Sequence, residues 1–274
     1  MLTNEISFGG VCSSQFGLTV GTERHSILPE RRKCEVEILG ADGVADFGLG
    51  GYGVRVITLP LYFDGDYADL RKNRESIAAW LITRKEPKKL ILGSEPDRYY
   101  LAKIYAAVDF ENTVDREIGN IQFECNPPWG FLLDGTALTP EQQLWTDCEA
   151  KENSFIKEFT ASGSMKLVNA GTASVKPIIR LYGNVLSGVK LTCGEQSIEI
   201  DCDCRIDALE IDCSQETVTR LSDGENLSEF INGEHSDFFE LPSGNCEISI
   251  VSSGLGEWTD SLTVIVSFEP QIGG

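Results

Sequence analysis

The sequence predicts a mainly β protein in two parts, and three observations carry that expectation. Apolar and polar residues alternate over many short runs, as in Cys34-Glu35-Val36-Glu37-Ile38 and Ile121-Gln122-Phe123-Glu124-Cys125, which is the period of a strand with one wet face. Turn-forming pairs such as Gly183-Asn184, Gly194-Glu195, Asp223-Gly224 and the triplet Ser243-Gly244-Asn245 fall between the runs of the second half and indicate an antiparallel sandwich there. Only one stretch, after Asp66, shows helical spacing, with Leu70, Ile77 and Leu81 on a stripe beside Ala78 and Ile82. With 274 residues, 41% of them hydrophobic, the chain is long enough for two ordinary domains. Asn126-Pro127-Pro128-Trp129-Gly130 breaks the strand pattern, so the domains are read as 1–130 and 131–274, with 131–140 as a connection.

Taken in order, residues 1–20 give a strand and turn around Ile6-Ser7-Phe8-Gly9-Gly10-Val11. The alternation from Lys33 predicts a strand with Cys34, Val36 and Ile38 facing a core. Gly40-Ala41-Asp42-Gly43 makes a turn, and 47–53 is a glycine-rich loop. Residues 54–63 are apolar on both faces but contain Pro60, which cannot donate to a ladder, so an edge strand or a bulge is expected there. Asp66 can cap the helix that follows. That helix ends at Trp80-Leu81-Ile82, Pro87 keeps it from continuing, Leu90-Ile91-Leu92 reads as a strand, and Glu95-Pro96-Asp97-Arg98 reads as a turn. From Tyr99 a strand runs with Tyr100, Ala102, Ile104, Ala106 and Val108 on one face and Tyr99, Leu101 and Tyr105 on the other. Both faces want cover, from the preceding helix or from a neighbouring subunit.

In the second part, strands are expected at 156–159, 165–168, 175–182, 185–193, 198–202, 208–213, 217–221, 237–241, 246–251 and 262–268, with no helix. Ile198-Glu199-Ile200-Asp201-Cys202 and Leu209-Glu210-Ile211-Asp212-Cys213 nearly repeat each other and read as two adjacent strands built alike.

Charge and chemistry narrow the function. The formal net charge of −20 repels phosphate, which excludes specific nucleic-acid binding as a primary role. Arg71, Lys72, Arg74, Arg84, Lys85, Lys88 and Lys89, set against Asp69, Glu75 and Glu86, form one basic cluster. It is either a solvated face with i,i+4 pairs or a docking surface for an acidic neighbouring subunit. The amino terminus lacks the features of an export signal and no apolar run would span a bilayer, so synthesis in the cytoplasm is expected. Nine cysteines in strand-like segments then read as reduced core thiols. A zinc cluster of Cys193, Cys202, Cys204 and Cys213 is the alternative, against which the Cys202-x-Cys204 spacing counts.

No catalytic residue, cofactor site or metal site is assigned. His25 and His235 have no nucleophile context, and no phosphate loop or zinc-protease motif occurs. Asp201, Asp203, Glu210 and Asp212 are the only candidates for a glycosidase pair and read better as a solvated face. Phe238, Phe239 and Trp258 have the chemistry to stack on a sugar, and equally the chemistry of buried aromatics.

One combination of pieces is more specific than any of its parts. A helix ending Trp80-Leu81 is followed by Lys88-Lys89-Leu90-Ile91-Leu92, by Asp97-Arg98-Tyr99-Tyr100 with Ala102-Lys103, and by a strand closing on Phe123, Cys125 and Pro127. This order resembles the distal tail protein family of long-tailed, non-contractile phages over residues 1–130. Farther on, Asn169, Gly171-Thr172, Pro177-Ile178-Ile179, Leu241-Pro242 and Gly244-Asn245 are similar to the galectin-like second domain of such proteins. The resemblance implies a β-sandwich-type ring domain with one short α-helix, followed by a galectin-like antiparallel β-sandwich that serves attachment. It implies a virion protein at the tail tip, with no enzymatic activity, assembled with itself as a hexameric ring. The implied partners are the tail tube protein, a tail-associated lysin of the tail tip and a receptor-binding protein, with DNA passing through the lumen and no membrane contact. A domain of this size has a radius of gyration of roughly 14 Å, so six in a ring leave a hole of about 36 Å, wider than a DNA duplex. A carbohydrate-binding adhesin that grips cell-wall glycan through the second sandwich is the alternative.

Overall fold

The computed structural model describes residues 4–22, 24–40, 42–47, 51–63, 67–83, 85–106, 108, 110–112, 117–133, 138–151, 153–185, 189–200, 206–231, 237–252 and 261–272. The chain divides into two compact units, Met1–Leu133 with Gly273–Gly274, and Asp134–Ile272.

The first unit contains β1 (Ile6–Phe8), β2 (Val11–Cys12), β3 (Leu18–Val20), β4 (Arg24–His25), β5 (Glu35–Glu37), β6 (Val44–Asp46), β7 (Arg55–Phe63), α1 (Tyr67–Leu81), β8 (Lys88–Leu92), β9 (Glu95–Lys103), β10 (Phe110–Asn112), β11 (Glu117–Cys125) and β12 (Gly130–Leu132). Seven of these strands follow one antiparallel path, β2-β1-β8-β9-β11-β7-β3. The longest pairing joins β7 to β11, from Phe63 opposite Glu117 to Arg55 opposite Cys125 without a register shift. On β7 the inward positions Ile57, Leu59 and Leu61 are fully buried, and they meet Ile121 and Phe123 from β11, Leu90 and Leu92 from β8, and Ile6 and Phe8 from β1.

Pro60 therefore lies in an inner strand, contrary to the edge or bulge expected from sequence. The reason is local. Beyond β7, β3 covers Leu61 to Phe63 and β4 covers Ile57 and Thr58, and Pro60 falls between them. Its carbonyl accepts from Gly21 N at 2.8 Å, so its nitrogen points to the same gap, where no ladder donor is needed.

Helix α1 lies against this core through Ile77, Trp80 and Leu81. Trp80 Nε1 donates to the Phe8 carbonyl at 2.9 Å, and its ring stacks on Phe16 with centroids 5.0 Å apart. The expected stripe shifts accordingly: Ala78 and Ile82 are exposed, and Trp80 takes the buried place. Lys88 closes the helix end by donating from Nζ to the Trp80 carbonyl at 2.8 Å, the favoured role of a cation at a helix C-terminus.

Two further sequence readings are corrected here. The hairpin turn is at Gly93-Ser94, and Glu95 to Arg98 are already strand, with Leu92 opposite Glu95. A two-residue loop is the shortest that joins antiparallel strands, and Gly93-Ser94 suits it. On the second face of β9, Tyr99 is covered within the chain, whereas Tyr105 beyond the strand is 69% exposed. β12 pairs with β9, Phe131 opposite Tyr99, and the two rings stack at 5.3 Å. That pairing places a strand at 130–132, where a connection was expected.

The second unit is a two-sheet antiparallel sandwich. It opens with α2 (Pro140–Trp145), which the sequence reading missed although Thr139-Pro140-Glu141-Gln142 carries the signal. Thr139 Oγ1 accepts from Gln142 N at 3.3 Å and Gln142 Oε1 accepts from Thr139 N at 2.8 Å, a reciprocal cap. Its strands are β13 (Glu149–Lys151), β14 (Ser154–Phe159), β15 (Gly163–Asn169), β16 (Ile178–Val185), β17 (Val189–Cys193), β18 (Gln196–Ile200), β19 (Ile206–Asp212), β20 (Thr217–Arg220), β21 (Gly244–Ser252) and β22 (Leu262–Ser267). One sheet runs β13-β14-β22-β16-β19-β20 and the other β15-β21-β17-β18. Their inner faces meet in one core that includes Phe155, Leu167, Ile179, Leu191, Ile211, Phe239 and Val264.

The near-repeat thus lies on opposite sheets, β18 in one and β19 in the other. Both segments show the same alternation because both line the same core from opposite sides. Gly183-Asn184 is no turn. β16 continues to Val185 with a register shift between Tyr182 and Val185, as in a bulge. Residues 237–240 form no strand, and the segment is held instead by Asp237 N on the Ser197 carbonyl at 2.7 Å and Glu240 N on Gln196 Oε1 at 3.0 Å.

Asp147 closes one margin of this unit. Desolvation would raise its pKa, but the Lys157 ammonium at 2.7 Å and the Lys166 amide at 2.6 Å outweigh it and hold it below the usual carboxylate range. A carboxylate depressed in the folded state contributes stability above its unfolded pKa, which is lost as pH falls through the folded value. Asp147→Asn should therefore lower the melting temperature at neutral pH, and the difference should vanish as pH falls through the lowered folded-state pKa of Asp147. Parallel melting curves that keep a constant gap into acid would show that Asp147 acts otherwise.

Candidate functional site

The described residues of the hairpin formed by β5 and β6 are exposed or, at Ala45, half-buried, and none of them belongs to the buried core of the first unit. Val36 pairs with Ala45, while Glu35 and Glu37 pair with Asp46 and Val44. By strand alternation, Cys34, Val36, Ile38, Ala45 and Phe47 share one face, and Glu35 and Glu37 belong to the other. The sequence reading placed Cys34, Val36 and Ile38 against a core. Instead Val36 is 51% exposed, Ile38 55% and Phe47 59%, and Leu39 at the tip is fully exposed. The alternation was read correctly, but it says only that a face is apolar and not what covers it.

The root of the hairpin is tied to the start of β7. Arg31 bridges Tyr52, Arg32 N donates to the Gly51 carbonyl at 2.8 Å, and Gly53 N donates to the Glu30 carbonyl at 2.7 Å. Immediately after, Arg55 turns inward and is 1% exposed. Its Nη2 donates to the Ile27 carbonyl at 3.3 Å and its guanidinium carbon sits 5.7 Å from the Tyr100 ring centroid, while Nε has no hydrogen-bond partner. Below it, burial pushes the Cys125 thiol up to about 12. Tyr100 in turn donates to Glu95 Oε2 at 2.7 Å; burial first, and then that carboxylate, raise its phenol above the ordinary range. Arg55 is thus the buried post that holds the Ile27 loop. Arg55→Met removes the donor to the Ile27 carbonyl and leaves that carbonyl short of a partner, so amide exchange across 27–30 should speed up. Unchanged exchange there would remove the post role.

On the outer side of the same strand start, Val54 and Val56 are 40% and 41% exposed. With Thr22, Arg24, Ser26, Glu30 and Thr58 they line a wide-open, mostly polar recess of about 850 Å³. Val54 also borders a smaller cavity of about 170 Å³, with Pro87, Leu101, Lys103, Tyr105, Glu124 and Asn126 around it. Of seventeen large hydrophobic side chains exposed among the described residues, thirteen belong to the first unit, so exposed apolar surface is concentrated there rather than on the sandwich.

The described members of the basic cluster differ in their settings. Arg74, Lys85 and Lys89 are exposed, but Lys88 is spent on the helix end and on the Phe8 ring at 5.3 Å. Lys89 lies 4.1 Å over the Tyr99 ring. The side chains of Arg71 and Lys72, and the whole of Arg84, lie outside the described residues. Lys103, absent from the sequence list of cations, donates to the Lys85 carbonyl at 2.6 Å and adds charge beside the cavity.

In the sandwich, Phe239 is fully buried in the core, so no sugar ring reaches it. Phe238 is half-buried and packs on the same core, and Trp258 lies outside the described residues. Of the carboxylates considered for glycoside chemistry, Asp201 and Asp203 also lie outside them. Glu210 is paired with Arg180 Nε at 2.7 Å. Asp212 accepts from Ser214 N, Ser214 Oγ and Gln215 N at 2.8, 2.7 and 3.0 Å. Desolvation opposes ionisation of Asp212, but those hydrogen bonds prevail and hold its pKa low, the reverse of a general acid. Cys125, Cys193, Cys213 and Cys246 are buried free thiols, whereas Cys34 is exposed, contrary to its reading as a core residue. Among the described residues no group of three or more His, Cys, Asp or Glu could hold a metal ion, and no helix is long and apolar enough to cross a membrane.

Two comparisons place this architecture. Residues 13–125, within the first unit, match the family described as phage tail protein RIFT-related domain. Over nearly its whole length the chain shares its fold with the crystal structure of the SPP1 Dit protein (gp 19.1), described as a paradigm of the hub adsorption apparatus in phages infecting Gram-positive bacteria. The TM-score is 0.65 at 16% identity, covering 96% of this chain and 98% of that one. The resemblance to siphophage distal tail proteins, and the mainly β fold read with it, are borne out. A search of curated proteins found no match.

Proposed function

We propose that the protein is a structural subunit of a phage tail tip, a distal tail hub that joins the tail tube to the host-adhesion apparatus. Six copies form a ring through the first unit and leave a lumen for DNA, and the sandwich offers attachment to the receptor-binding protein and the tail-associated lysin. One observation carries the reading: an uncovered apolar hairpin in a unit that matches a phage tail family, within a fold shared with a hub protein. An isolated two-stranded ribbon is marginal in water and gains its stability from a partner. Native mass spectrometry at rising concentration, with and without tail tube protein, tests the assembly. A six-fold mass is expected, and a monomer under every condition would count against it.

The reading is non-enzymatic, and the carboxylates of the sandwich support it by being engaged in an ion pair and a turn. The adhesin alternative loses support from Phe239, whose ring is buried. Titration with cell-wall polysaccharide is expected to give no saturable heat. A saturable isotherm lost on substitution of Phe238 or Trp258 would favour the adhesin.

A further inference from the structure

The two outer faces of the sandwich differ. On the four-stranded sheet, Ser164, Ser249, Thr192 and Ser197 follow one another across the strands in register, with Lys190 opposite Glu199 in the next row. That is the wet face expected of an antiparallel sheet. Val251 is the exposed large hydrophobic on it among the described residues.

The six-stranded sheet departs from that pattern at its centre. Ile156 pairs with Ile265, Ile265 pairs with Arg180, and Ile178 and Tyr182 stand two residues to either side of Arg180 on β16. Their chain neighbours Phe155, Ile179, Leu181 and Val264 belong to the core, so by strand alternation the three isoleucines and Tyr182 share the outside. The isoleucines are half-buried and Tyr182 is 38% exposed. Apolar side chains gathered at the centre of a wet face mark a surface that another molecule covers.

Charge on the same face selects the occupant. Glu149 pairs with Ile156, Glu158 lies one outward position along β14 from it, and Asp212 pairs with Ile178. Arg180 is engaged with Glu210 at 2.7 Å, so among the described residues of these strands Lys151 is the cation left to set against those three carboxylates. A second copy would bring a chain of net charge −20 against this rim, and like charges facing each other across an interface oppose association. A basic partner meets no such penalty.

From this we infer that the outer face of the six-stranded sheet docks a protein of the adhesion apparatus whose contact surface is apolar at its centre and basic at its rim. The inference rests on the hub reading and names the face through which the sandwich attaches. Ile156, Ile178, Ile265 and Tyr182 supply the apolar centre, and Glu149 and Glu158 meet the partner's Lys or Arg.

The test uses the full-length chain, titrated separately by biolayer interferometry with the purified receptor-binding protein and the purified tail-associated lysin of the same phage. Ile156→Asp with Ile265→Asp spoils the centre, and Glu149→Lys with Glu158→Lys reverses the rim at two exposed positions. Val251→Asp marks the other outer face, and circular dichroism checks that each variant keeps its fold. One of the two proteins is expected to bind the unsubstituted chain and the Val251 variant alike, to bind both double variants more weakly by about tenfold or more, and to bind less well as salt is raised. Either double variant binding as tightly as the unsubstituted chain, or a Val251 variant weakened as much as they are, overturns this face and leaves the hub reading standing. If neither protein binds the unsubstituted chain, the face and the attachment role of the sandwich fall together, while a six-fold mass would still support the ring.

Discussion

Trp80→Ala should lower the unfolding free energy by about 3–5 kcal/mol, the range for removing a large aromatic from a packed core. Trp80 is 6% exposed and both fills space and makes a directed bond to the sheet. Its ring stacks on Phe16 and meets Phe8 edge-on at 6.3 Å, and its Nε1 donates to the Phe8 carbonyl. Alanine removes the ring, leaves a void and orphans that buried carbonyl, which adds about 1–3 kcal/mol if water does not reach it. Trp80→Phe separates the two contributions, because it keeps most of the packing and loses only the donor. Urea denaturation followed by far-ultraviolet circular dichroism measures both. A Trp80→Ala midpoint within error of the unsubstituted protein would mean that α1 is not docked as described.

What the sequence revealed and what it hid have a common cause. Strands whose alternation matched a core in the same chain were legible residue by residue: Ile121, Phe123 and Cys125 were read as inward and are fully buried. The ribbon gave the same pattern, Cys34, Val36 and Ile38, yet faces outward, because periodicity reports a face and says nothing of its cover. Pro60 misled for a related reason. It forbids a donor at one backbone position, and a gap between two short neighbours satisfies that as well as a sheet edge. Helix α2 was missed through its brevity, six residues being too few to show a period, while its reciprocal cap was in plain view. The candidate contact residues were the least legible. Lys88 and Phe239 have the composition of a docking cation and a sugar platform, and only their partners, the Trp80 carbonyl and the sandwich core, reveal that they are occupied. Val54 and Val56, by contrast, looked like core and are surface, since the inward place at that end of β7 is taken by Arg55.

Gly171→Ala should destabilise the sandwich by about 2–4 kcal/mol, although it adds a single methyl group, the strain of an overfilled site adding to lost hydrogen bonds. A Cβ at this position would lie 2.3 Å from the Gln271 carbonyl oxygen and 2.7 Å from the Gln271 nitrogen. Both are backbone atoms, so no rotamer change relieves the clash, and one of the two segments must move. The segment is tied from several sides. Thr172 N and Ala173 N both donate to the Gln271 carbonyl, at 2.9 and 3.0 Å. Gly171 N donates to Asn169 Oδ1 at 3.0 Å, Ser243 Oγ donates to the Gly171 carbonyl at 2.6 Å, and Asn169 Nδ2 reaches the Ala173 carbonyl at 2.9 Å. Asn169 is itself 1% exposed, so loosening this loop leaves its amide with fewer partners in a dry place. The expected result is a lower melting temperature together with faster exchange of the Thr172 and Ala173 amides, whose acceptor is displaced. Gly21→Ala provides the contrast, because its Cβ would meet the Tyr62 ring and Pro60 side chain at 2.5 and 2.9 Å; Tyr62 is a side chain able to turn, so the smaller loss is expected there. If Gly171→Ala melted with the unsubstituted protein and kept both amides protected, Gln271 would not be seated against this loop.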